Sequence, residues 1–282
     1  MKTVIVGIKD ALWGDFPENV EMISPYKNMN IVTRVLRRAF GETALGQKLI
    51  NNPRLKNVDA DTLLVFDSVS IAFLKWLKKH NADKRIILWY WNPVFLTIDP
   101  QKVPEGIELW SYSHQDCEKY SMRFNTQFCF PKYEPTNEET TSDIFFFGRD
   151  KGRGELIEKY QKQFEKMGLK TDFRIIRSQS DYIPYNEGIK LTKQSKCVLD
   201  FCVNEEVGMS LRALEALFLN KKVITNNKMY ARERFYRKQN VFILEQDNIE
   251  ELPAFIQSPL EEVEKEIKEY YLFENWLKRF YC

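Results

Sequence analysis

Short apolar runs alternate with amphipathic stretches in two series along this chain, and that alternation limits the fold more than any other feature. In the first half the runs occupy residues 2–6, 62–66, 85–91 and 107–111. Each is continuously apolar, as a strand is when helices cover both faces of its sheet. Between them, residues 31–45 and 70–80 carry apolar side chains three and four apart (Val32, Val35, Leu36, Phe40; Ile71, Phe73, Leu74, Leu77), the spacing of a helix that packs one face on a sheet. The pattern restarts with strands over 143–147, 173–176, 197–201, 222–224 and 241–244, and helices over 154–167, 185–194 and 210–219. Strand-helix-strand series of this kind build parallel, doubly wound sheets, so the expected class is α/β with two Rossmann-like domains.

The two series are separated by residues 131–141, a polar, proline-bearing stretch with almost no apolar content that reads as an exposed linker. The expected division is an N-terminal domain over 1–133, a C-terminal domain over 134–260, and an amphipathic helix over 261–282. The apolar stripe of that last segment (Leu260, Val263, Ile267, Tyr270, Tyr271, Phe273, Trp276, Leu277, Phe280) is wide enough to pack back on the domains. Peripheral docking on a membrane surface, helped by Lys278 and Arg279, is the alternative.

Charge narrows the partners. The 42 basic and 40 acidic residues are spread along the chain and leave a net charge of +2, without the basic tract of a nucleic-acid binder, so no nucleic-acid partner is expected. Cys117, Cys129, Cys197, Cys202 and Cys282 form no CxxC pair, and with only His80 and His114 beside them no zinc spacing arises. Free thiols suit a reducing cytosol. The first apolar run is too short for a signal segment, and no stretch reaches the roughly 18 apolar residues of a membrane span. A cytoplasmic protein, reaching at most the inner face of the membrane, is expected.

Two clusters carry chemistry. In Phe145-Phe146-Phe147-Gly148-Arg149-Asp150-Lys151-Gly152-Arg153-Gly154 an apolar strand ends in a glycine-rich turn with three cations and then opens a helix. Glycines admit an anion to the backbone, a helix start offers N–H groups, and Arg149, Lys151 and Arg153 can neutralise a diphosphate. The spacing is neither a Walker A loop nor GxGxxG. In Val207-Gly208-Met209-Ser210-Leu211-Arg212-Ala213-Leu214-Glu215, a glycine turn and a Ser N-cap precede a helix whose Arg212 and Glu215 lie three apart. Those two either form a surface ion pair or divide the work, Arg212 meeting phosphate and Glu215 accepting from ribose hydroxyls.

Gly208-x-Ser210-x-x-x-Leu214-Glu215-Ala216 followed by Lys221-Lys222-Val223-Ile224-Thr225-Asn226-Asn227 resembles the donor-site region of GT-B glycosyltransferases. Residues 147–153 with 211–216, and further Trp89-Tyr90-Trp91-Asn92-Pro93 and Tyr112-Ser113-His114-Gln115-Asp116-Cys117, resemble bacterial lipopolysaccharide or capsule biosynthesis proteins of that fold. The resemblance implies two Rossmann-like domains facing across a cleft, with the C-terminal one holding a nucleotide diphosphate sugar as substrate and Glu215 on its ribose. Gly148, Gly208, Ser210 and Asn226 complete the donor-side set with Arg149, Lys151, Arg153 and Arg212. Many retaining members carry an acid eight positions before that glutamate; here the residue is Val207, with Glu205 and Glu206 beside it.

The N-terminal half would then take the acceptor, a glycan or lipid-linked glycan, outside the carboxyl ends of its strands. Asp67 and His114 are the candidate bases there, with Trp91 and Asn92 lining the acceptor site. Asp67 also reads as a helix cap, and His114 as a helix start. Asp59-Ala60-Asp61 precedes a strand and reads as a solvated turn, so no metal and no cofactor are expected, the leaving diphosphate being held by cations and N–H groups. The function implied is glycosyl transfer in surface-polysaccharide assembly; a sugar-nucleotide epimerase of the same architecture and a non-catalytic nucleotide-binding partner of a transferase are the alternatives.

Overall fold

A computed structural model describes residues 1–7, 14–27, 43–130, 134–135, 138–202 and 208–282. The chain divides into two units, Met1–Asn125 and Thr126–Cys282, each built on its own sheet.

The first unit contains β1 (Thr3–Val6), β2 (Val20–Ile23), β3 (Thr62–Phe66), β4 (Arg85–Tyr90), β5 (Glu108–Ser111) and β6 (Arg123–Phe124), in the order β2-β1-β3-β4-β5-β6 and parallel throughout. Every residue of β3 is buried, which is why it reads as one unbroken apolar run. Helix α1 (Ala44–Ile50) is capped by Thr43, helix α2 (Ile71–His80) by Ser70, and α3 (His114–Tyr120) by Ser113. Helix α2 buries Phe73, Leu74 and Leu77, the face expected from their spacing. At its C-terminus the wholly buried Asn81 accepts from Val58 N (2.9 Å) and donates to Leu55 O (2.9 Å) and Leu77 O (3.0 Å), so its polar atoms are satisfied in the core. Most of the helix expected over 31–45 lies outside the described residues.

The second unit contains β7 (Ser142–Arg149), β8 (Thr171–Ile176), β9 (Ser195–Asp200), β10 (Lys222–Thr225) and β11 (Val241–Ile243), again all parallel, in the order β11-β10-β9-β7-β8. Read from its other edge, this order matches that of the first five strands of the first unit, with no counterpart to β6. Helices α4 (Gly154–Lys166), α5 (Tyr185–Lys193) and α6 (Leu211–Phe218) connect the strands. In both units the winding reverses once, between β1 and β3 and between β7 and β9. Open α/β sheets bind ligands at such switch points, outside the carboxyl ends of the strands.

The single C-terminal helix expected over 261–282 does not form. Two short helices take its place, α8 (Lys265–Tyr270) and α9 (Phe273–Lys278), after a separate short helix α7 (Leu252–Gln257). The break after α8 has a backbone cause: Tyr271 O accepts from Cys129 N (2.9 Å) and Phe273 N donates to Cys129 O (2.9 Å), a strand-like pairing that a continuous helix could not make. The same segment draws residues 126–130 into the second unit, so the division falls before the polar stretch 131–141. Phe130 stacks on Phe273 (4.7 Å between centroids) and Phe128 lies 4.2 Å from Trp276. Val263, Tyr271, Phe273, Trp276, Leu277 and Phe280 are all buried, so most of the apolar stripe packs into the core of the second unit. Among the described residues no helix is long and apolar enough to cross a membrane.

Candidate functional site

The switch point of the second unit gathers most of the donor-side residues expected from sequence. Strand β7 ends at Gly148-Arg149, and the turn that follows puts Lys151 (φ 51°) and Gly152 (φ 80°) in the left-handed region before α4 begins. Asp150 organises this turn: its Oδ1 accepts from Gly152 N (3.0 Å) and Gly154 N (2.9 Å), and its other oxygen faces Arg177 at 3.4 Å. The bond from Gly154 N, foremost, holds the Asp150 carboxyl below its ordinary range. Two N–H groups expected to meet an anion are thus occupied by a side chain of the same turn.

Those cations converge. Arg212 donates from Nη1 to Asp200 Oδ1 (2.6 Å) and from Nη2 to Phe147 O (2.7 Å). Arg153 donates from Nη1 to Phe201 O and from Nη2 to Arg149 O (3.3 Å), and its Nε is buried with no hydrogen-bond partner. Both guanidiniums lie over the ring of Phe146, at 5.1 and 5.5 Å. They therefore span the ends of β7 and β9 at the point where the winding reverses. Gly148 makes room for them: a Cβ there would stand 2.9 Å from Arg212 Nη2 and 3.3 Å from Arg153 Nη2. This glycine gives room to two arginines at the strand end. Burial, then Arg212, lowers the pKa of Arg153; desolvation, then Arg153, Arg212 and Arg149, lowers that of Lys151. Asp200 and Asp150, beside these cations, offset part of that repulsion at Arg153.

Behind them sits Asp200, 1% exposed at the end of β9, which also accepts from the Tyr230 hydroxyl. Tyr230 in turn accepts from Ser210 N (3.4 Å), and Ser210 Oγ caps α6 by accepting from Arg212 N (3.2 Å). The expected N-cap is present. The ion pair between Arg212 and Glu215 is not: Arg212 turns to Asp200, while Glu215, 9% exposed, accepts from the hydroxyl of Tyr185 at the start of α5. Asn226 accepts from Cys202 N (2.8 Å) and donates to Cys202 O (3.0 Å), pinning the end of β10 to the chain leaving β9. Gly208 is buried just before α6; Glu205, Glu206 and Val207 lie outside the described residues.

At the carboxyl ends of the first unit's strands, Asp67 and Asn92 meet. Asp67 Oδ2 accepts from Asn92 N (2.9 Å), and the Asn92 amide also reaches both its oxygens at 3.3 and 3.4 Å. Asp67 is 4% exposed, and burial pushes its carboxyl up to about 6 against these bonds. It does not cap α2, since Ser70 Oγ accepts from Phe73 N (3.1 Å). Trp91 packs on Phe66 at 5.3 Å, and the His114 ring, at the first position of α3, stacks on Phe124 at 3.9 Å. Among the described residues no group of three or more His, Cys, Asp or Glu side chains gathers as metal ligands would.

No protein-family model and no curated protein sequence matches the chain. Solved structures do. HepE from Anabaena, determined with UDP and glucose, matches 93% of this chain and 84% of its own at 9% identity and a TM-score of 0.52. A DNA-modifying β-glucosyltransferase, determined with and without uridine diphosphoglucose, matches 99% of this chain and 95% of its own at 14% identity and a TM-score of 0.52. The chain has the GT-B fold. It spans 54% of the length of a further similar structure, TarM, which covers 78% of this chain at 11% identity and a TM-score of 0.47.

Four residues that hold the candidate site together in the second unit were not singled out from sequence: Asp150, Tyr185, Asp200 and Tyr230. Asp200 left one trace, an acid closing the apolar run Cys197-Val198-Leu199, where a buried strand tolerates a charge only with a partner. Asp116 also escaped; it accepts from Val94 N (3.1 Å), and burial raises its pKa.

Proposed function

We propose that the chain transfers a glycosyl group from a nucleotide diphosphate sugar to a glycan or lipid-linked acceptor in surface-polysaccharide assembly in the cytoplasm. The observation that carries this reading is the meeting of Arg153 and Arg212 over Phe146 at the second unit's switch point, with Arg149 and Lys151 on the adjoining turn and the carboxylate of Glu215 one helical turn beyond Arg212. Cations and a carboxylate side by side suit a ligand with phosphates at one end and hydroxyls at the other. HepE and the β-glucosyltransferase support a uridine nucleotide as the first to test.

In the reaction the acceptor oxygen bonds to the anomeric carbon, the bond from that carbon to the phosphate oxygen breaks, and the hydroxyl proton passes to a base. Growing charge on the diphosphate is met by the guanidiniums, each with N–H groups beyond the two already engaged, and no metal or cofactor is required by this scheme. On the acceptor side Asp67 carries the better chemistry of the two candidate bases: a carboxyl at about 6 is ionised and still basic near neutral pH, whereas the His114 ring lies flat on Phe124. Trp91 and Asn92 line the same strand ends.

Release of nucleoside diphosphate that depends on an added glycan acceptor is the expected result. Conversion of the sugar nucleotide without acceptor would instead mark an epimerase, and neither reaction would mark a binding module. Glu215→Ala is expected to weaken nucleotide binding by about 2 kcal/mol, the range for a hydrogen bond to a charged group, with the fold retained. Unchanged affinity in titration calorimetry would remove Glu215 from the ligand.

A further inference from the structure

Glu215 does not stand alone at the nucleotide end of the site. We infer that Tyr185 is a positioning residue for ribose recognition: its hydroxyl donates to Glu215 Oε1 and sets the plane in which that carboxylate meets the ligand. The inference rests on the reading that Glu215 accepts from ribose.

The local structure brings the two together through Phe147, near the end of β7. Its carbonyl accepts from Arg212 (2.7 Å), which fixes α6 one turn before Glu215. Its ring receives α5, and a Cβ at Gly188 would stand only 3.1 Å from Phe147 Cδ1, so the helix docks this closely because residue 188 is glycine. Tyr185 is three residues before Gly188 and therefore on the same face of α5. Pro184, extended at ψ 146°, sets the start of that helix. Close docking at Gly188 thus delivers the Tyr185 hydroxyl to Glu215, and Phe147 holds both helices to one strand end.

The physical consequence is preorganisation. A glutamate has three rotatable bonds and loses considerable freedom when it must face a ligand; a tyrosine has two and is anchored here by its helix. An O–H donating to a carboxylate is a charge-assisted bond, strong enough to select one orientation. A ligand whose ribose hydroxyls donate to Glu215 then meets a carboxylate already in place, and the ordering need not come from binding energy.

Tyr185→Phe keeps the ring and removes the hydroxyl. Titration calorimetry on the full chain with UDP, GDP, ADP and CDP, each against its 2′,3′-dideoxy form, reads the consequence. For the ribonucleotide that binds, the variant is expected to lose about tenfold in affinity, the scale of ordering one long side chain that binding must then supply. The dideoxy form, with no hydroxyls for Glu215, is expected to bind wild type and variant equally, while the unfolding midpoint falls by the contribution of the one bond removed. Equal weakening of both forms would show that Tyr185 only supports the fold and would overturn the inference. If wild type prefers the ribose form and Glu215→Ala abolishes that preference while Tyr185→Phe preserves it, the role of Tyr185 falls and that of Glu215 stands. Failure of wild type to bind any of these nucleotides overturns both.

Discussion

Replacing Arg212 with alanine is expected to destabilise the second unit by about 3–5 kcal/mol, the usual consequence of removing one partner from a buried ion pair. Asp200 is 1% exposed and Arg212 is its cationic partner at 2.6 Å. With the guanidinium gone, that carboxylate keeps the Tyr230 hydroxyl, and Phe147 O loses its 2.7 Å donor. A double variant, Asp200→Asn with Arg212→Met, removes the charge along with its counter-charge and is expected to recover much of the loss. Urea unfolding followed by circular dichroism compares the midpoints. Nucleotide binding separates the two effects, because the double variant should fold and still bind more weakly than wild type. A single variant as stable as wild type would mean that the pair contributes nothing to the second unit.

The second large effect is a dependence on pH. Burial raises the Asp67 carboxyl from 3.8 to about 6, so the folded chain binds this proton more tightly than the unfolded chain does. The stability it contributes is present in full below pH 3.8 and is lost as pH rises through about 6, a change of about 3 kcal/mol at 1.36 kcal/mol per pKa unit. Asp67→Asn removes the charge that burial opposes. Its unfolding free energy should match the parent's near pH 4, exceed it increasingly up to pH 6, and stay above it at neutral pH. The opposite trend, with the parent gaining on the variant as pH rises, would mean that the Asn92 hydrogen bonds outweigh burial. Transfer activity should fall in the same variant while nucleotide affinity is kept, as expected of a base on the acceptor side.

Much of the fold was legible because both sheets are covered by helices. Strands such as β3 and β9 are buried on both faces and so declare themselves as unbroken apolar runs. The two that escaped lack this signature: β2 is an edge strand with Glu21 and Met22 half-buried, and β6 is only Arg123-Phe124. Helical spacing over 261–282 was misleading for another reason. Spacing reports which side chains face the core, not whether the backbone between them continues, and the pairing of residues 271 and 273 with Cys129 interrupts it.

The candidate site was legible in its chemistry but not in its directions. Glycines and arginines at strand ends named the place, and Ser210 was found as the cap it resembled. What they touch depends on residues that read as core. Asp200 hides at the end of an apolar strand, Tyr230 lies in the short 3-10 helix Lys228–Arg232 after β10, and Tyr185 opens a helix thirty residues from the glutamate it meets. Hence Gly148 and Asn226, read as ligand contacts, serve first to seat two arginines and to pin Cys202.

The central claim is that the second unit's switch point holds a nucleoside diphosphate. Thermal unfolding of the full chain with and without UDP, GDP, ADP and CDP tests it most directly. At one hundred times its dissociation constant, a ligand of the folded state adds about 2.7 kcal/mol, a clear rise in melting temperature. At least one of the four is expected to give that rise in wild type and a smaller one in Glu215→Ala. No rise with any of them at millimolar concentration would contradict the account.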